Sequence, residues 1–362
     1  MSTQKKPNGH VAKDASTGLY RVALVGGGTL KGKEVADVLS ERKFPAADIK
    51  LLDDDESLGQ LEAVGEEVTF IQSVRSDQFK KVDFTFFAGD QDTTRQGWAK
   101  ARDGGGSVLD LSFALEEEDT ARIRSPWVER QLGQDLQLEL QPSPLVIVAH
   151  PAAVVLALLV LRAQQAGKLH VVAATVFEPV SERGRKGIDE LQEQSVNLLS
   201  FQELPQEVFD ARIGFNLLRR LGEKSVSTLD SIERRIVKHY KGIAGEISGH
   251  AVIAPSVALV QAPVFHGYSF MIFLETEETV ALGDLTQALQ GDHVEIARAT
   301  DEQPSTVAAA GQDDILLTVN RDASNPKGFW LWAAADNLRI AARNAVECAE
   351  GMAASLPKGT VQ

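Results

Sequence analysis

The sequence predicts an α/β protein of two domains: a parallel sheet covered by helices, then an α+β domain built on one broad sheet. Three observations predict it. A short apolar strand, Tyr20–Val25, runs into a glycine-rich turn and then into the helical pattern KEVADVLSERKF. Short strands and helices alternate from there to about residue 150, as in a mostly parallel sheet. Beyond residue 161 the strands lengthen and cluster, as in VVAATVFEPV and AVIAPSVALVQAPVFHGYSFMIFLET, with amphipathic helices between them.

The opening turn is Gly26-Gly27-Gly28-Thr29-Leu30-Lys31-Gly32. Strand, glycine turn and helix begin a Rossmann βαβ unit, in which glycines let the backbone approach a pyrophosphate and helix amides point at it. Gly26 and Gly32 stand as the outer glycines of a GxxGxxG pattern, with Gly28 inside it. Thr29 occupies an inner glycine position, where a side chain would crowd the phosphate. A tight turn without a ligand fits the same residues. The second strand, Asp48–Leu52, is followed by Asp53-Asp54-Asp55-Glu56. An acid there can take the ribose hydroxyls of NAD, and four acids would repel the extra phosphate of NADP. A solvated acidic turn is the other meaning of such a run. Gly89 ends the strand Val82–Ala88 near the same place. The cofactor candidate is therefore NAD, with NADP disfavoured.

A helix through Arg95–Arg102, the glycines at 104–106 and the strand SVLDLS follow. Residues 116–141 read as charged and irregular. Leu145–Leu161, LVIVAHPAAVVLALLVL, is marginal in length for a membrane span and contains histidine and proline, so it reads as strand, turn and buried helix. Pro151 pushes His150 into an extended conformation and suits a first helical turn. His150-Pro151-Ala152-Ala153 then lies at a helix N-terminus, where partial positive charge would favour an anion or activate a thiol. The turn offers alanine and valine instead.

Next come the turn and helix SERGRKGIDELQEQSVNLLSF and helices at Asp230–Gly242 and Leu282–Leu289. Strands Val294–Ala297, Ile315–Asn320 and FWLWAAAD precede a last helix, Asp336–Leu356. One face of the second sheet would be covered by helices and the other would need a partner, so a two-fold homodimer is expected. The last helix should pack back on the first domain. The expected division is a disordered lead-in at 1–19, a Rossmann-like domain at 20–150 with 335–362, and a dimerisation domain at 151–334.

A formal net charge of −14 argues against nucleic acid or an anionic membrane as partner. One cysteine, Cys348, excludes an intrachain disulfide and a cysteine-rich metal site and fits a reducing cytoplasm. The first twenty residues contain no apolar signal segment. His150 and His266 have no second histidine or cysteine at metal-ligand spacing, so no metal is expected.

Several phrases resemble the aspartate-semialdehyde dehydrogenase family: the turn 26–32, FPAADIKLL at 44–52, VLDLSFAL at 108–115, ERRIVKHYKGI at 233–243, VQAPVFHGYS at 260–269 and ADNLRIAA at 335–342. The likeness is nearest a non-enzymatic, dehydrogenase-like paralogue of that family. It implies a Rossmann domain completed by the last helix, a semialdehyde-dehydrogenase-type dimerisation domain, and Asn337 on the cofactor side. Enzymes of the family attack an aldehyde with a cysteine thiolate, pass hydride to NADP and release the acyl group to phosphate. On this resemblance the asparagine and cysteine of the nucleophile turn fall on Ala152 and Ala153, the positioning glutamine on Glu178 and the acid/base histidine on Tyr268. The substrate arginine falls on Gln261 and the phosphate arginine on Glu116.

An alanine methyl cannot form a thiohemiacetal. A phenol with a pKa of about 10 is a poor base at neutral pH. Glu233 and Arg235 remain as substrate-like charges; two apart on a helix, they do not fully share a face, and a surface ion-pair stripe is the other reading. The expectation is a catalytically degenerate family member, a pseudoenzyme with a binding or regulatory role. One alternative is an NAD-dependent oxidoreductase working without a covalent intermediate, with Tyr268 as acid. The other is an interaction protein with a closed nucleotide cleft.

Overall fold

A computed structural model describes residues 19–53, 59–64, 67–134, 144–247, 250–298 and 301–355. The expected lead-in, apart from residue 19, and the acids at 54–56 lie outside the described residues.

The chain opens with β1 (Tyr20–Val25), α1 (Leu30–Glu41) and β2 (Ala46–Asp53), followed by a hairpin of β3 (Leu61–Val64) and β4 (Glu67–Phe70). Then come β5 (Gln72–Ser73), β6 (Phe84–Phe87), α2 (Gln91–Asp103), β7 (Ser107–Asp110), β8 (Ala121–Arg124), α3 (Pro126–Gln131) and β9 (Leu145–Val148). Seven strands form one sheet in the order β5-β2-β1-β6-β7-β9-β8. Every pairing in it is parallel. The order reverses between β1 and β6, which places a crevice at their carboxyl ends.

Part of the segment expected to be irregular is ordered as β8 and α3. Strand ARIR shows no apolar alternation, and Arg124 is buried with its guanidinium donating to Glu129 in two hydrogen bonds, 2.8 and 2.5 Å. Pro126 then suits the first turn of α3.

The second part begins with α4 (Pro151–Ala166), then β10 (Leu169–Glu178), α5 (Gly184–Leu199), α6 (Leu229–Ala244), β11 (Glu246–Ile247), β12 (His250–Ala251), β13 (Ser256–Gln261) and β14 (Tyr268–Thr276). It continues through α7 (Leu282–Leu289), β15 (Val294–Ile296), α8 (Thr306–Ala309), β16 (Ile315–Arg321), β17 (Gly328–Ala335) and α9 (Asn337–Ser355). Its sheet runs β13-β10-β14-β17-β16-β15 and is mixed, β10 lying parallel to β13 and antiparallel to β14.

The apolar run resolves as β9 followed by α4, whose residues from Pro151 to Ala163 are all buried. Among the described residues no helix is long and apolar enough to cross a membrane. Helix α9 returns to the first sheet, where Ala341, Ala342, Ala345, Val346 and Ala349 join a core with Val22, Leu24, Val35 and Leu39. Small side chains on α9 let it lie close to α1. Cys348 is part of the same core, and burial pushes its thiol far up, as suits an inert small hydrophobe.

One face of the second sheet packs under α4, α6 and α7. On the other, register aligns Ala173 with Phe273 and Trp330, and Thr175 with Met271 and Trp332. Met271 and Trp330 there remain 38% and 39% exposed. Among the described residues nothing covers Met271 and Trp330 on that apolar face.

Candidate functional site

The glycine turn is a backbone-on-backbone contact. Gly26 has φ +82°, and a Cβ there would lie 2.3 Å from the Gly89 nitrogen. A Cβ on Gly32 would lie 2.0 Å from the Gly26 oxygen. These glycines are required for β1, α1 and the end of β6 to meet at all. Thr29 does not project outward as expected. Its Oγ1 donates to the Gly26 carbonyl at 2.8 Å, with the Ala88 carbonyl 3.1 Å away, and it accepts from the Gly32 amide at 3.0 Å. It is the N-cap of α1 and is turned into the loop. Asp53 is buried, and its Oδ2 accepts from the Gly28 amide at 2.7 Å. The acid at the end of β2 thus places its negative charge directly on the turn.

The N-terminus of α4 lies across the crevice at the end of β9. Ala152 and Ala153 are fully buried. Pro151 has no amide hydrogen. The Ala152 amide donates to His150 Nδ1 at 3.3 Å and the Ala153 amide to the His150 carbonyl at 2.8 Å. The amides that would greet an anion are already used by the cap itself. The His150 amide donates to His239 Nδ1 at 2.9 Å. This fixes the proton of neutral His239 on Nε2, which donates to Glu116 Oε1 at 2.6 Å. Arg235 Nε donates to the same oxygen at 2.8 Å, and Lys238 reaches the Glu116 carbonyl at 3.3 Å.

Burial holds His150 well below and His239 below the usual histidine value, so both rings are neutral at neutral pH. Burial pushes the Glu116 carboxyl up, but hydrogen bonds from His239 and Arg235 outweigh it and the net shift is downward. With His239 neutral, Arg235 supplies the charge that keeps Glu116 ionised. A carboxylate of the chain itself therefore sits on the basic residues of α6.

A second polar group gathers at the strand ends. Glu178 and Gln261 are paired positions on β10 and β13. Arg183 donates to Glu178 Oε2 at 3.1 Å, while Oε1 has no partner. Gln261 Nε2 donates to the Glu178 carbonyl at 2.9 Å and its own Oε1 has none. The Tyr268 hydroxyl is buried beside Glu182 without closing a well-formed hydrogen bond. Burial, then Glu182 and Glu178, push that phenol well above its ordinary value. Burial likewise pushes the Glu178 carboxyl up, against the pull of Arg183.

The expected residues are brought together only in part. Glu116, Arg235 and the α4 turn meet. Glu233 points elsewhere: it accepts from the Leu259 amide at 2.9 Å and from Arg219 at 3.0 Å, on the β13 side of α6. Glu233 and Arg235 are each partly exposed and ion-paired, and two positions on a helix turn them to different neighbours, Arg219 and Glu116. Asn337 is engaged internally. Its Oδ1 accepts from the Gly267 amide at 3.0 Å and its Nδ2 donates to Glu182 at 2.8 Å. It ties α9 to the strand-end loops.

Sequence reasoning missed Phe113, Arg183 and His239. His239 was legible: it is four residues after Arg235 and so shares its face. Phe113, inside the phrase VLDLSFAL, is half-buried with φ +64°. Among the described residues no group of three or more His, Cys, Asp or Glu could hold a metal ion.

A family model described as semialdehyde dehydrogenase, NAD binding domain, matches residues 21–168, and one described as semialdehyde dehydrogenase, dimerisation domain, matches residues 158–340. A USG-1 protein homolog of Pseudomonas aeruginosa is 32% identical over 328 residues, covering 90% of this chain and 95% of that one. An aspartate-semialdehyde dehydrogenase of Rickettsia conorii is 26% identical, with 91% and 97% covered. Among solved structures, a probable aspartate-semialdehyde dehydrogenase from Pseudomonas aeruginosa is 33% identical with a TM-score of 0.78, covering 92% of this chain and 98% of that one. Aspartate semialdehyde dehydrogenase II from Vibrio cholerae, complexed with ASA, has a TM-score of 0.79 at 22% identity over the same shares, a likeness of fold. With an NAD binding domain and a dimerisation domain spanning residues 21 to 340, this chain belongs to the semialdehyde dehydrogenase family.

Proposed function

We propose that this protein keeps the fold of its family without covalent aldehyde chemistry, and that it acts as a binding or regulatory protein. The observation that carries this reading is the state of the α4 N-terminus. Fully buried alanines stand there, their amides are used by the His150 cap, and Glu116 occupies the basic residues opposite. Such a site has no nucleophile and no vacant anion seat. Tyr268 is a poor proton carrier as well, because deprotonating it would bury an unpaired phenolate.

The uncovered face around Met271 and Trp330 supports a homodimer, as the name of the matching dimerisation domain suggests. We divide the chain as 20–150 with 335–362, and 151–334, because α9 shares its core with β1 and α1. If a nucleotide enters the glycine turn, Asp53 favours NAD over NADP, since its carboxylate would face the added phosphate. Several relatives are named aspartate-semialdehyde dehydrogenase, so the test is that reaction. Purified protein with aspartate semialdehyde, NADP or NAD, and phosphate should give no phosphate-dependent reduction of the nucleotide. Sustained turnover would remove this reading.

A further inference from the structure

The strand order fixes where the two halves of a dinucleotide would lie. The pyrophosphate belongs at the turn after β1, and the acid at the end of β2 marks the adenosine ribose side. The nicotinamide must then run the other way, across the carboxyl ends of β6, β7 and β9, toward the α4 N-terminus. Phe113 stands on that path, three residues beyond β7. Its ring is stacked on His150 at 5.4 Å between centroids and 23° between planes. His239 meets it edge-on, also at 5.4 Å. Lys31 of α1 and Arg235 of α6 each lie 5.2 Å from its centroid. One ring therefore touches the first turn of α1, the cap of α4 and the basic residues of α6.

The ring is also held in place. At φ +64° Phe113 is left-handed, a conformation costly for a residue with a bulky side chain. Buried Asp110 sustains it. Oδ1 accepts from the Ser112 amide at 2.7 Å, the Ser112 hydroxyl at 2.6 Å and the Phe113 amide at 3.1 Å, while Oδ2 accepts from the Leu115 amide at 2.9 Å. Lys31 braces the same loop through the Leu111 carbonyl at 3.1 Å.

The glycine-turn half of the cleft fits a nucleotide: its glycines carry no side chains, Thr29 is turned inward to cap the Gly32 amide, and the amides of Leu30 and Lys31 precede the first intrahelical bond. The nicotinamide half does not fit. We propose that Phe113 is a built-in plug whose ring takes the place a nicotinamide ring would need, so that the cleft discriminates by shape against the nicotinamide half of a dinucleotide. The proposal deepens the reading of a site without aldehyde chemistry, and it can fail separately from it.

Calorimetric titration of the full chain with NADH and with ADP-ribose tests it. Wild type should bind NADH no more tightly than ADP-ribose. Phe113→Gly, which suits a left-handed backbone, should bind NADH at least tenfold more tightly than wild type does, with ADP-ribose affinity unchanged. Phe113→Asn, also tolerant of that backbone, should behave in the same way. Wild type that prefers NADH over ADP-ribose overturns the proposal, whatever the outcome with aldehyde and whether or not a variant folds. Folded variants with no gain for NADH, or an equal gain for both ligands, overturn it as well.

Discussion

Replacing Glu116 with alanine removes the carboxylate that now satisfies Arg235 and His239. Taking away one partner of an enclosed ion pair costs about 3–5 kcal/mol. Arg235 keeps a side-chain exposure of 24% and can rehydrate, so a loss of about 2 kcal/mol is expected at pH 7. The effect has a pH signature. Glu116 is held below its unfolded value, so its contribution is complete above the unfolded pKa of about 4.3 and is lost as pH falls through the lower folded value. The gap between wild type and variant should therefore be full at pH 7 and should close in the acid range below that.

The same substitution uncovers Arg235 for an external anion, with Lys238 held nearby by Glu117. At about 50 mM phosphate, a seat with a dissociation constant of about 5 mM would recover about 1.4 kcal/mol. Urea unfolding followed by tryptophan fluorescence, with sodium chloride at matched ionic strength as the control, reads both effects. Phosphate should rescue Glu116→Ala and leave wild type unmoved. An equal response of the two proteins, or a variant as stable as wild type, would refute the idea that Glu116 stands in for a bound anion.

Other expectations follow from the same geometry. Ala153→Cys should give neither turnover nor rapid alkylation at neutral pH, because the new thiol would be fully buried with its local amides already used; fast labelling would contradict this. Gly32→Ala should cost about 3 kcal/mol in denaturant unfolding, since its Cβ would press on the Gly26 carbonyl. Met271→Asp, on the uncovered sheet face, should shift sedimentation from dimer to monomer, and an unchanged sedimentation coefficient would place the dimer interface elsewhere.

Much of the fold was legible because it is written locally. Tyr20–Val25 and the glycine turn announce the first βαβ unit. The apolar run Leu145–Leu161 divides at Pro151 into strand and helix, as proline requires. Strand β8 was not legible, because it shows no apolar alternation and its Arg124 is buried in a pair with Glu129. Single residues of the site, Ala153, Glu178, Gln261 and Tyr268, were legible from the phrases that contain them. Their neighbours were not, because those depend on contacts distant in sequence. Glu116 finds His239 only once β7 and α6 have packed, and Phe113 meets His150 only across two strands of the sheet. Thr29 shows the same limit in miniature. Its position in the pattern suggested an obstruction, but its hydroxyl accepts from the Gly32 amide and so caps α1.

The decisive measurement is whether any acyl transfer survives. Purified protein at high concentration, given aspartate semialdehyde, phosphate and either NADP or NAD, should show no reduced nucleotide above the buffer control, with or without phosphate. Phosphate-dependent reduction that continues beyond one equivalent of protein would contradict the account, because it would require a nucleophile and an anion seat in a turn made of alanine.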